Sequence, residues 1–203
     1  MGPTVAAMTE IVLFHHIQGL TSGVHEFADR LRAAGHTVHT PDSFEGRTFA
    51  SIDEGQAYCS EIGFDKVAAR AVELAAALPA QVYGGFSLGC MPAQQLAQSQ
   101  SGARALLAYH GFADPSYFGG WPDGVKAQIH AMDQDPFFIG DGEDEEGDIE
   151  PAQTFVAAHD DAELFLYPGS GHLFTDSSLS VYDAAATDVV LERSLALLAT
   201  LEG

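Results

Sequence analysis

The five residues Gly85-Phe86-Ser87-Leu88-Gly89 constrain this chain more than any other stretch. Gln81-Val82-Tyr83 before them has strand character, and residues 91–100 after them have a helix-forming composition. A G-x-S-x-G between a strand and a helix is the setting of a nucleophile elbow. The chain must reverse sharply there, which forces the serine into a strained backbone conformation. Glycines two residues before and after it remove side chains that would collide across the turn. The turn lifts the Ser87 hydroxyl above the sheet edge and aims the first helical N–H groups at the space beside it. Small residues are common in turns, so the motif alone also fits a glycine-rich turn with an incidental serine. The rest of the chain decides between the two.

Glu10-Ile11-Val12-Leu13-Phe14 is a near-continuous apolar run, the pattern of a strand buried on both faces of a parallel sheet. Thr21 or Ser22 can cap the helix that follows. Val24, Phe27, Ala28 and Leu31 give that helix one apolar face, and Gly35 stops it. Further strands are expected at 37–40, 81–83, 103–109, 125–132 and 163–167. Further helices are expected at 56–62, 65–78, 151–159 and 179–201, with 43–55 irregular. Pro92 lies in the first turns of the elbow helix, where it deletes a donor and crowds the Leu88 carbonyl, so a kink or loose first turn is expected. The alternation of strand and helix predicts an α/β fold: an open, mostly parallel sheet of about six strands with helices on both faces.

The 203 residues suit a single domain spanning 1–203. A formal net charge of −21 argues against nucleic acid and anionic membranes as partners. No apolar run approaches the roughly 20 residues that span a bilayer, and residues 1–10 show no signal-peptide pattern. Two cysteines, Cys59 and Cys90, are too few for a disulfide framework and have no metal-site spacing, which suits a reducing cytoplasm. Cys90, three residues past Ser87, reads as a small buried residue of the elbow. The acidic run at 140–150 lacks calcium-loop spacing and reads as a solvated surface loop. No metal and no organic cofactor is expected, because His and Asp are scattered among loops without a ligand pattern.

In an open parallel sheet, functional groups gather at the carboxyl ends of the strands. Ser87, Asp135 and His172 each fall just past an expected strand. A serine hydroxyl needs a base within hydrogen-bond reach, and the base needs an acid to fix its tautomer. After an elbow serine the order is serine, then acid, then histidine. His110 and His130 precede any suitable acid loop, and His159 closes a helix. His172, in the glycine-rich loop 168–172, is therefore the expected base. Asp133 and Asp135 compete as the acid; Asp135 is preferred, because Pro136-Phe137-Phe138 would anchor its loop. The oxyanion formed on the substrate needs fixed donors. The expected ones are the backbone N–H groups of Leu88 and Ile17. His16 is expected to shape the pocket mouth, and Phe112, Tyr117, Phe118 and Trp121 are candidates for an apolar substrate pocket.

The chain resembles the dienelactone hydrolase family of the α/β-hydrolase superfamily. The resemblance rests on residues 14–19, Ala-Gly-His-Thr-Val-His-Thr-Pro-Asp at 34–42, the elbow at 85–89, Tyr109-His110-Gly111, Asp135-Pro136-Phe137 and Gly171-His172-Leu173-Phe174. It implies a minimal α/β-hydrolase fold, with Ser87 as nucleophile, Asp135 as acid, His172 as base, and Ile17 and Leu88 as oxyanion donors. The chain differs from the eponymous enzymes in three ways. Ser87 replaces their cysteine, His16 stands where they carry a glutamate, and no arginine matches those that hold their substrate carboxylate. The implied activity is hydrolysis of a small ester, lactone or thioester; the acidic surface and the missing arginine favour neutral substrates over carboxylate-bearing ones. The chain would act as a monomer or homodimer. A ligand-binding protein on the same fold is the other reading of the sequence.

Overall fold

A run as apolar as Ile11 to Phe14 is stable only when both of its faces are covered. The structure, a computed structural model that describes residues 8–140 and 147–201, covers them. Strand β1 (Glu10–Phe14) lies within a six-stranded sheet with β2 (Thr37–His39), β3 (Val82–Phe86), β4 (Ala105–Tyr109), β5 (Lys126–Met132) and β6 (Ala162–Tyr167). The spatial order is β2-β1-β3-β4-β5-β6, and every pairing is parallel. The sheet class expected from the sequence is therefore the one observed. No helix among the described residues is long and apolar enough to cross a membrane.

Seven helices accompany the sheet among the described residues: α1 (Ser22–Ala33), α2 (Ile52–Ile62), α3 (Phe64–Ala75), α4 (Cys90–Ser99), α5 (Pro136–Ile139), α6 (Ile149–Ala158) and α7 (Ala184–Thr200). Side chains alternate across each strand. One face sends Ile11, Leu13, Phe86, Leu107 and Tyr109 into a core with Val24, Phe27 and Leu31 of α1 and Val190, Leu191 and Leu198 of α7. The other sends Val12, Phe14, Leu106, Ala108 and Ile129 against Ala71 of α3, Ala93 and Leu96 of α4, and Phe155 of α6. Leu13 and Leu107 are fully buried at the sheet centre. Truncating either to alanine there costs about 2–5 kcal/mol.

Several boundaries differ from the sequence expectation, each for a local reason. Helix α2 starts at Ile52, inside the segment expected to be irregular, because Ser51 Oγ accepts the Glu54 N–H at 3.2 Å and Glu54 reaches back to the Ala50 N–H at 3.0 Å. Helix α7 starts at Ala184 rather than 179, because Asp183 caps the Ala186 N–H at 3.0 Å. Thr21, of the two candidates, caps α1 through the Val24 N–H. Residues 87–89 form a tight 3₁₀ turn before α4, so the elbow helix does open on a non-α turn, with Pro92 buried behind it. Of the acidic run, residues 141–146 lie outside the described residues.

The strand order places the site. The chain builds β1 and β2 outward in one direction and then crosses back to β3 on the other side of β1. Crevices form at such a reversal, at the carboxyl ends of the two strands. The loop after β1 carries Ile17, and the loop after β3 carries Ser87.

Candidate active site

At the end of β3 the backbone of Ser87 has φ +48°, a left-handed conformation that a serine adopts only when its surroundings impose it. The flanking glycines supply the room. A Cβ on Gly85 would sit 2.0 Å from the Gly89 carbonyl oxygen, and one on Gly89 would sit 2.6 Å from the Phe14 carbonyl oxygen. Any side chain at either position would break the turn or push it off β1.

Asp135 is completely buried at the N-terminus of α5. Its Oδ1 accepts the Phe137 N–H at 3.0 Å, and its Oδ2 lies 2.7 Å from His172 Nδ1. His172 Nε2 lies 2.8 Å from Ser87 Oγ. A carboxylate can only accept, so Nδ1 carries the ring proton, and Nε2 of the neutral ring is left to accept from the serine hydroxyl. Asp133, the competing acid, points elsewhere: it is exposed, and its Oδ1 accepts the Gly169 N–H at 3.0 Å, which braces the histidine loop. Cys90 is buried, and its thiol donates to the Gly85 and Tyr109 carbonyls at 3.1 and 3.3 Å. Burial pushes the thiol far above its ordinary range, so it stays protonated. His110, fully buried, has its Nε2 2.8 Å from Thr175 Oγ1, and its ring lies 5.9 Å from that of His172. Burial lowers its pKa well below the ordinary range, followed by the effect of the neighbouring His172.

A cavity of about 230 Å³ opens beside Ser87, bounded by Leu88, Met91, His110, Gly111, Phe112, Phe137, Asp148 and His172 among others. Only part of the expected pocket borders it. Phe112 does, buried against Phe155 at 5.0 Å between ring centres. Tyr117, Phe118 and Trp121 do not. Gln94 of α4 exchanges hydrogen bonds with the backbone of Ala113, and Gln98 donates to the Pro115 and Gly120 carbonyls at 2.8 and 2.9 Å. These amides hold residues 113–120 along α4 and carry the aromatics away from Ser87. Tyr117 is 75% exposed, Phe118 borders a separate groove with Asp65 and Met91, and Trp121 packs on Phe155 and donates to the Val125 carbonyl at 2.8 Å.

His16 is likewise not at the pocket mouth. It is 1% exposed, with Nε2 2.7 Å from Asp176 Oδ2 and Nδ1 accepting the Gln18 N–H at 3.2 Å. Thr21 Oγ1 donates to the same Asp176 oxygen, and Ser178 gives its N–H and hydroxyl to the other. Burial alone would raise the Asp176 pKa, but the donors from His16, Ser178 and Thr21 outweigh it and bring it down to about 2. Gly23 makes room for this carboxylate, since a Cβ there would lie 1.8 Å from Asp176 Oδ1.

Ile17, one residue on, is buried in the same apolar cluster that Leu88 packs against. Of the two expected oxyanion donors, Leu88 borders the cavity and Ile17 is not among its lining residues. Asp148 is the carboxylate of the cavity that the sequence did not single out, because it lies within the acidic run that reads as solvated. It immediately precedes α6, an N-cap position, yet its side chain makes no capping bond. It accepts the Phe112 N–H instead, at 2.9 Å.

Comparison with known proteins gives the chain's family and fold. The sequence pattern of the dienelactone hydrolase family matches residues 1–201. No curated protein sequence matches. Among solved structures, a dienelactone hydrolase-like promiscuous phosphotriesterase from metagenomic libraries superposes with TM-score 0.70 at 18% identity, covering 100% of this chain and 90% of that one. A dienelactone hydrolase from Anabaena variabilis gives TM-score 0.57 at 17% identity, covering 92% and 84%. The esterase PE8 gives 0.59 at 15% identity, covering 95% and 94%. At such identities these structures show a shared α/β-hydrolase fold.

Proposed function

The chain belongs to the dienelactone hydrolase family and is a hydrolase acting on ester bonds; from that premise we propose that it cleaves small esters, lactones or thioesters through Ser87, His172 and Asp135, by way of an acyl-enzyme. The observation that carries this reading is the unbroken line of hydrogen bonds at 2.8 and 2.7 Å from Ser87 Oγ through His172 to Asp135. In the proposed reaction His172 Nε2 takes the hydroxyl proton as Ser87 Oγ attacks the carbonyl carbon. Asp135 keeps the ring in the tautomer that can accept, and stabilises the imidazolium while it lasts. The oxyanion rests on the backbone N–H groups of Leu88 and Ile17. His172 then gives its proton to the departing alcohol or thiol. In the second half it activates the water that releases the acid and restores Ser87.

The reading requires neither a metal nor an organic cofactor. Two buried free thiols, Cys59 and Cys90, suit a reducing compartment, and we assign the protein to the cytoplasm on that ground.

A fluorophosphonate probe tests the proposal. One adduct per chain, mapped to Ser87 and blocked in parallel with esterase activity, is the expected outcome. Ester hydrolysis that persists in fully labelled protein would overturn it.

A further inference from the structure

The cavity beside Ser87 holds a carboxyl group that the chemistry above does not use. Helix N-cap aspartates ordinarily spend their side chain on their own helix. Asp148 does not: it leaves α6 uncapped and turns to the Phe112 N–H at the cavity wall. No lysine or arginine pairs with it among the described residues. Among the described residues, His172 and Asp135 act on its charge, and it acts in turn on the Cys90 thiol. Burial raises its pKa to about 6, against the Phe112 N–H and His172, which lower it. Near neutral pH and above, the cavity therefore carries an unpaired, half-buried negative charge.

The room between this charge and the serine is also built. A Cβ on Gly111 would lie 3.4 Å from Ser87 Cα and 3.5 Å from Asp148 Oδ2. The serine backbone and the carboxylate thus lie within about 7 Å of each other, across a gap that glycine leaves empty. Phe112 and Phe137 supply aromatic rings to the same cavity. A carboxylate and aromatic rings around one small space recognise a cation: the charge is paired, and the rings offer their negative faces.

We propose that Asp148 makes this cavity a receptor for the ammonium group of the substrate, so that the preferred esters or thioesters carry a compact ammonium on a short arm beside the carbonyl. The proposal rests on the hydrolase reading above and names its substrate class. It carries further the expected preference for neutral over carboxylate-bearing substrates, since an anionic arm would meet a like charge. Bond cleavage is unchanged: water adds to the acyl carbon, and the alcohol or thiol bearing the ammonium leaves with a proton.

Two measurements test it, at about pH 8, where Asp148 is charged. The first is equilibrium binding to Ser87→Ala protein of choline and of 3,3-dimethylbutanol, its neutral isostere. Choline should bind about tenfold more tightly, and Asp148→Asn, which keeps an acceptor for the Phe112 N–H, should bring the preference close to one. Equal or tighter binding of the neutral alcohol, or a choline preference that survives Asp148→Asn, would overturn the proposal. The second is the ratio of kcat/KM for acetylthiocholine and 3,3-dimethylbutyl thioacetate with Ser87 intact. A ratio near ten that falls in Asp148→Asn supports the proposal, and damage common to both substrates cancels. Failure to cleave either thioester counts against the hydrolase reading, while binding still decides the cation site.

Discussion

Two histidine–aspartate pairs, each at 2.7 Å, lie at the same end of the sheet, and of the two only one continues to a serine hydroxyl beside a cavity. In the first, His172 stands between a hydroxyl and a carboxylate, so a proton can leave Ser87 for a ring whose other nitrogen is held. In the second, the carboxylate of Asp176 stands in the middle. It receives His16, Thr21 and Ser178 together, and the free nitrogen of His16 is used by the Gln18 backbone. The first borders a cavity; the second is sealed. Residue types are the same in both, so what differs is the order of connection and the access to space. The second pair ties the loop after β1, which carries Ile17, to the loop after His172. It is a clamp.

The largest expected effect lies on the open pair. Ser87→Ala should lower kcat/KM by at least about 10³-fold, and Asp135→Asn by a comparable factor through the wrong histidine tautomer. Both proteins should keep near-native melting curves. A Ser87→Ala enzyme within tenfold of wild type would erase the distinction between the pairs.

Asp176→Asn should behave in the opposite way. Its amide cannot accept from His16, Thr21 and Ser178 together, so a buried donor is left facing an N–H. The fold should lose about 2–4 kcal/mol in urea titration, while kcat falls less than about tenfold. A full loss of turnover in a stable Asp176→Asn protein would move His16 and Asp176 into the catalytic machinery.

A smaller, graded effect concerns acid. Burial lowers the pKa of His15 to about 4 and of His130 to about 3, and that of His110 also lies well below its ordinary value. Unfolded, each takes a proton near pH 6.5. Between those values the unfolded chain binds the extra protons, so stability falls as pH drops from about 6.5 toward 4, by up to about 4 kcal/mol per pH unit for three histidines. Asp176 acts in the same direction at lower pH: its folded pKa is also depressed, so its contribution is lost as pH falls from about 4 through 2. Urea midpoints measured across this range should decline from about pH 6.5. A flat profile down to pH 4.5 would contradict the burial of neutral imidazoles.

The features legible in the sequence were those with a steric or ordering requirement. The elbow was legible because its turn admits glycine and little else at 85 and 89. Asp135 could be preferred over Asp133 because Pro136-Phe137-Phe138 announces an anchored turn, and α5 begins there. The aromatics of the 110–124 loop gave no such signal. Their direction depends on two glutamines of α4, Gln94 and Gln98, which read as an ordinary polar face. Asp148 was hidden by its acidic neighbours, and its departure from capping is visible only in three dimensions. His16 was placed in the right loop but on the wrong side of it, because its partner Asp176 lies 160 residues away. The start of α2 is a different case, since Ser51 and Glu54 spell a capping pair in the sequence itself.

The central claim is that Ser87 carries the acyl group while His172 moves the proton. Protein quenched in acid during turnover of p-nitrophenyl acetate, digested and mapped by mass, tests it most directly. The account predicts one acetyl group on the peptide containing Ser87, absent from Ser87→Ala and formed far more slowly in His172→Ala. Acetyl on Cys90 or on His16, or steady product release with no acetylated peptide at any quench time, would contradict it.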